Sequence, residues 1–309
     1  MYKEQIKICV HEADVAIKEK RWTDAEKLLK ETVQYAIKMY DADKENNDLQ
    51  LGAAFHRLGK FYSMLIHCDR MPVKPITLDE KGQNLFKACE GLFGDAIKCT
   101  LQNGRKGKAV YVDFHSLCMH DLLILYFAVG RYEDAIKHGT NGIQLEKAIY
   151  EKFDDAPHAL RLAERMTSLA TSYALHKDVV KAMEHLEDSI FVLEEHEKDD
   201  PIRFGLTLGR SYLTLAGNYE RQPEEAAQAE ETYLKGYAKL EEADELSEGK
   251  FSEDMITANL VLGEFYKRKE KPQSKIYFKE ALRLAEAYKE KNQNAKYDYL
   301  IAKLKVQVR

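Results

Sequence analysis

Proline is scarce in this chain of 309 residues, with only 6, and glycine is modest at 16. No Pro/Gly/Ser-rich run could serve as a linker, so residues 1–309 read as one continuous domain rather than two tethered ones. Long apolar stretches are missing too. The best of them, LLILYFAV at 122–129, is far too short for a bilayer, which takes about 20 residues. The opening MYKEQIKICVHEADVAIKEK carries a charge every few positions and no continuous apolar region, so it reads as a helix of the fold and not as a secretory leader. A cytoplasmic protein without membrane contact is the expectation. Nor does charge of one sign dominate: the formal net charge is −5, and the only compact basic run, Gly104 to Lys108, reads as a solvated turn. Nucleic acid is therefore not an expected partner. Cysteine is sparse and odd in number. Cys9, Cys68, Cys89, Cys99 and Cys118 sit mostly on apolar helical faces, as buried reduced thiols would, and not in the spacing of a disulfide framework.

What the chain does contain is helical. Hydrophobic residues make up 45% and charged ones 32%, with Ala, Glu, Lys and Leu recurring at helical spacing, which predicts an all-α fold with almost no strand. One pattern recurs five times: Leu, a small or apolar residue, two unconstrained positions, Tyr. It occurs as LGKFY from Leu58, LLILY from Leu122, LATSY from Leu169, LAGNY from Leu215 and LGEFY from Leu262, at intervals of 64, 47, 46 and 47 residues. Near-constant spacing is the mark of a solenoid. Each of the last four is followed by a second helix with small residues seven apart: Ala135 and Gly142, Ala182 and Ser189, Ala229 and Gly236, Ser274 and Ala281. Seven residues are two turns, so both fall on one face, where they let a paired helix approach closely.

These motifs resemble the tetratricopeptide repeat, whose unit is a helix-turn-helix with a large-Leu-small-x-x-Tyr first helix and an Ala-x6-Ala second helix. The resemblance implies a right-handed superhelical solenoid of about six antiparallel helix pairs. The units fall at 1–45, 46–104, 105–154, 155–200, 201–250 and 251–291. RWTDAEKLLKETVQYA from Arg21 supplies the first second-helix, with Ala25 and Thr32 at its small positions, and an insertion with Pro72 and Pro75 follows LGKFY. A capping helix is expected at 293–309, where Tyr297, Leu300, Ile301 and Leu304 form a stripe that covers the last apolar face or, alternatively, docks a partner helix. The unit is about 47 residues rather than about 34, which lengthens each helix by about 10 Å. Elongated units of this kind are similar to those of kinesin light chains, vesicle-fusion attachment proteins and bacterial peptide-sensing regulators.

A catalytic reading rests on DFHSLCMHD, Asp113 to Asp121. His115 and Cys118 share a helix face, as metal ligands or a Cys-His pair would, but His120 points elsewhere and no CxxC or HExxH accompanies them. The bland reading is a buried Cys beside surface histidines, so no metal, no cofactor and no enzymatic activity is expected. VLEEHEKDD and LEEADELSEGK read as solvated helix ends.

The resemblance further implies that first helices line a concave groove, with contacts three before, one after and four after the small residue of each motif. The second unit then offers His56, Lys60 and Ser63, the third His120, Ile124 and Phe127, and the fourth Thr167, Thr171 and Ala174. The fifth offers Leu213, Gly217 and Glu220, with Arg210 one turn earlier. The family's two-carboxylate clamp is not reproduced, since His56, Arg57, His120 and Asp121 stand at its positions. The expected function is a non-catalytic scaffold that binds a protein or peptide, centred on Ile124 and Phe127 as exposed apolar contacts. The alternative is a peptide-responsive signalling regulator, from which this chain departs because its repeats begin at once.

Overall fold

The structure is a computed structural model that describes residues 2–292 and 296–308, apart from the side chains of Arg105 and Lys296. Met1, the expected start of the capping helix at 293, and Arg309 lie outside the described residues. Thirteen α-helices and no strand occur among the described residues. They run as antiparallel pairs: α1 (Tyr2–Lys18) with α2 (Trp22–Ala42), α3 (Lys44–Leu65) with α4 (Glu80–Arg105), α5 (Ala109–Ala128) with α6 (Tyr132–Phe153), α7 (Ala156–Leu175) with α8 (Val179–His196), α9 (Pro201–Tyr219) with α10 (Ala229–Leu246), and α11 (Ser252–Arg268) with α12 (Gln273–Asn292). Helix α13 (Lys296–Gln307) packs on α12. The pairs gather into two compact units, Met1–Phe153 and Asp154–Arg309, where the sequence reads as one domain.

Aspartates start three of the first helices. Asp43, Asp155 and Asp200 accept hydrogen bonds from the backbone N–H of Asn46, His158 and Arg203, so that each satisfies one orphan donor of a helix end. Pro157 and Pro201 lie in the first turns, where a missing N–H costs nothing. The turns within pairs share one closure. The N–H of Arg21, Arg131, Asp178 and Lys271 returns to the carbonyl of Ala16, Tyr126, Tyr173 and Tyr266, across a residue in the left-handed region. Only Gly130 (φ +77°) takes that conformation without cost; Lys20, Lys177 and Glu270 take it against steric preference.

Small residues sit where backbones meet. A Cβ on Gly59 would lie 2.9 Å from the Phe93 ring, and one on Gly263 would lie 2.7 Å from Phe278. Between α9 and α10 the approach is backbone to backbone, for a Cβ on Gly236 would lie 2.9 Å from the Gly209 carbonyl oxygen. Ala170 and Ala216 are wholly buried at the equivalent positions.

The recurring tyrosines join one pair to the next. Tyr62 donates its phenol hydrogen to Glu26 of α2 at 2.9 Å, Tyr219 to Glu187 of α8 at 2.8 Å, and Tyr126 to Glu90 of α4. Tyr266 lies within electrostatic reach of Glu230 of α10, whose carboxylate Lys271 holds at 2.7 Å. Burial, and then the carboxylate, push all four phenols up, Tyr266 to about 12. Tyr126, Tyr173 and Tyr266 also stack on the second helix of their own pair, on His138, His185 and Tyr277 at 5.3, 5.5 and 5.5 Å.

The stripe of α13 is covered by the chain itself. Tyr297, Ile301 and Leu304 are buried in one cluster with Ile256, Phe278, Ala281 and Ala285, and Leu300 packs against it. Those residues therefore cap the second unit and are not a face for another helix.

Replacing Ala170 by Leu is expected to overpack its contact at a cost of about 1–3 kcal/mol. Thermal melts of the two proteins check this, and an unchanged midpoint would mean that the side chain points away from the core.

Candidate binding surface

In the first unit the polar side chains of the first helices are spent on each other. His56 Nε2 lies 2.6 Å from Asp121 Oδ2, and Lys60 donates to Oδ1 at 2.8 Å, which ties α3 to α5. Burial alone would raise the Asp121 carboxyl, but the His56 hydrogen bond and the Lys60 charge outweigh it and hold the group below its ordinary range. The His56 ring sits between Phe93 and Phe114. The next residue, Arg57, reaches Asp14 of α1 at 3.0 Å. The buried Asp48 of α3 accepts hydrogen bonds from Tyr111 at 2.6 Å and Asn103 at 2.5 Å. His56 and Lys60 are thus bridges between pairs before they are ligand contacts, and the Asp48 network is one that sequence reasoning did not find.

Ile124 and Phe127 are not on an open surface. They are 8% and 2% exposed, and every residue of α5 from Asp121 to Ala128 is buried. Two features enclose the end of this helix. The insertion after α3 crosses it, with the Ile76 N–H donating to the Ala128 carbonyl at 2.7 Å and Pro75 lying against Gly130. Phe127 also meets Tyr132 edge-on at 5.4 Å. The signal was in the sequence, because a helix apolar on all sides is a buried one. His120 is half-buried on the same helix.

The His/Cys cluster does not assemble a site. His115 is buried with Nε2 2.7 Å from Thr100 Oγ1, while Cys118 is wholly buried. Among the described residues no three His, Cys, Asp or Glu side chains are placed to hold a metal ion.

In the second unit, Thr167 is half-buried in a hydroxyl cluster, 3.2 Å from Ser189 and 3.1 Å from Ser211, and so joins α7, α8 and α9. Thr171 returns its hydroxyl to the Thr167 carbonyl at 2.9 Å. Leu213 packs against the cluster of Leu240, Met255 and Ala258. Arg210 is exposed and binds both oxygens of Asp254 on α11, at 2.7 and 2.9 Å. A second two-point pair of this kind, Glu220 with Arg268 at 2.8 and 2.7 Å, also joins α9 to α11. Around Arg210 the first helices carry a polar stripe. Arg203, Thr207, Arg210 and Thr214 stand at i, i+4, i+7 and i+11 of α9, so all four share one face. Glu164 of α7 is exposed within electrostatic reach of Arg203 and Arg210, and Thr257 of α11 is exposed beyond Asp254. The hydroxyls of Thr207, Thr214 and Thr257 each donate to the carbonyl four residues back, at 2.9, 2.8 and 2.9 Å. Each hydroxyl oxygen keeps lone pairs to offer as an acceptor.

Two expectations follow. Phe127→Ala should lower stability by about 3–5 kcal/mol through the cavity it leaves, as urea titration would show. Stability should also fall with acid, because burial depresses His115 and His138 from their ordinary 6.5, with Lys137 adding to it at His138. A histidine depressed in the folded chain binds its proton more readily when unfolded, so the contribution is whole above about pH 6.5 and is lost as pH falls through the folded value. Melts between about pH 7.5 and 5.5 should show the decline, and His115→Gln should flatten it.

No protein-family profile matches the sequence, and no curated protein matches it either. Solved structures do. RapI in its apo form superposes with a TM-score of 0.62 at 11% identity, over 98% of this chain and 98% of that one. Aspartyl phosphate phosphatase F from Bacillus subtilis gives 0.59 at 13% identity, over 97% and 78%. A putative kinesin light chain of Podosopora anserina, built of nearly identical TPR-like repeats, gives 0.50 at 16% identity, over 77% and 93%. At such identities the likeness speaks for architecture, and by architecture this chain is a tetratricopeptide-like helical-repeat protein.

Proposed function

We propose that the protein is a non-catalytic scaffold that binds an extended peptide segment of a partner protein on the first-helix face of its second unit. The observation that carries this reading is the stripe Arg203, Thr207, Arg210 and Thr214, flanked by Glu164 and Thr257. Threonine oxygens set along a helix suit the backbone N–H groups of an extended chain, and the exposed Arg203 suits an acidic side chain on it. Arg210 from the expected contact set is part of this proposed surface; Thr167 ties α7 to α9 through Ser211, and Leu213 packs against the neighbouring core cluster. The five cysteines form no disulfide, which suits a reducing compartment such as the cytoplasm. No helix among the described residues is long and apolar enough to cross a membrane.

The second reading, a regulator whose pitch changes on peptide binding, draws support from the likeness to RapI along nearly the whole of both chains. It also draws on the Arg210–Asp254 pair, because an acidic peptide side chain that displaced Asp254 would loosen one of the two clamps between neighbouring pairs.

The experiment is selection of peptides from a random library, followed by calorimetry. Arg203→Glu and Thr214→Val should each weaken the selected peptides, the charge reversal at least about tenfold, or about 1.4 kcal/mol. Helicity should be unchanged, since the Arg203 side chain is exposed and its ion pair with Asp200 is long, at 4.0 Å. Peptides that bind both variants as well as the parent would move the interaction to another face.

A further inference from the structure

The insertion after α3 does more than cover α5. Its extended residues Ile76 to Leu78 stand away from α4 and leave a cleft of about 390 Å³ between themselves, α4 and the turn from α5 to α6. That volume falls within the range of small-molecule sites, about 300–1,000 Å³. The floor is the buried ring of Phe86, and Ile76, Leu78 and Val129 supply apolar walls. The rim is cationic. Lys87, one residue beyond Phe86 on α4, is exposed and makes no ion pair among the described residues. Arg131 lies over Tyr126 at 4.5 Å and Phe86 at 5.9 Å, with Asp134 Oδ2 held on its Nε and Nη2 side at 2.7 and 2.6 Å. The one acid in the lining, Glu90, accepts the Tyr126 hydroxyl and keeps its charge, so that with Lys87 and Arg131 the lining holds two cations against one carboxylate. An apolar cavity whose lining carries one net positive charge, with the exposed Lys87 ammonium at its mouth, is complementary to a ligand that has an apolar body and one negative charge.

We infer that this cleft is a second binding site, separate from the first-helix face, and that it takes a small amphipathic anion: an aromatic or branched aliphatic body on Phe86, with a carboxylate or sulfonate at Lys87. Geometry favours a free small molecule over a folded partner, because the insertion walls off one side of the floor.

The test uses the full chain and 8-anilinonaphthalene-1-sulfonate, an aromatic sulfonate whose emission rises in apolar surroundings. Trp22, the only tryptophan, lines a neighbouring cavity on the other side of Ile76, Thr77 and Leu78, so it can report location by energy transfer to the bound dye. Saturable binding of one dye per chain with strong transfer from Trp22 is the expected result. Lys87→Glu should weaken it at least about tenfold and Lys87→Arg should not, as charge pairing requires. Val129→Phe, which fills the cleft, should abolish it while the circular dichroism stays the same. Binding that is unsaturable, or equally strong in Lys87→Glu and Val129→Phe, overturns the assignment.

Discussion

A phenol handed to a carboxylate is the interaction on which the stack depends. Packing alone explains why each motif wants an aromatic residue as its fifth member, since a ring fills the groove between helices. It does not explain why that residue is Tyr and never Phe. The answer lies in the hydroxyl, which reaches out of the pair and bonds a glutamate on the second helix of the pair before it, as Tyr62 does Glu26, Tyr126 does Glu90 and Tyr219 does Glu187. A solenoid has only neighbours to hold it, so a bond between consecutive pairs acts at the one kind of interface available. A charged acceptor makes it stronger than a bond between neutral groups. Tyr173 uses its ring within its own pair, where it stacks on His185 with Lys181 above.

That logic also shows how much was legible beforehand. The helix pairs could be read because the constraint that sets them is local: Gly59, Ala170, Ala216 and Gly263 mark close approaches, and periodicity of that kind survives in a single sequence. The carboxylate partners could not, because Glu26 or Glu187 looks like any other surface acid until the turn between pairs has brought it to a phenol.

The binding surface was harder to read for a related reason. Carrying positions over from one unit to the next assumes that every unit is covered alike, and the third is not, since the insertion of the second folds over it. Ile124 and Phe127 therefore belong to the core, although the motif register puts them at contact positions. His56 and Lys60 stand at contact positions of the motif register, but Asp121 claims both, and no spacing rule pairs residues more than sixty apart. Arg210 stood in the motif register, while its tie to Asp254 and the threonines beside it did not. A threonine that bonds its own helix carries no sequence mark of whether its remaining lone pairs face water.

The unequal turns carry an evolutionary consequence. The connection between α5 and α6 is residues 129–131, whereas that between α3 and α4 is 66–79, yet both pairs close with the same antiparallel packing. The entropy of closing a loop grows only with the logarithm of its length, about 0.6 kcal/mol for each doubling, so a turn in this architecture can lengthen several-fold for little more than the strength of one hydrogen bond. A repeat protein of this kind can therefore gain a new cavity at the edge of its stack without redesigning a single helix, and natural variation is free to try such additions one turn at a time.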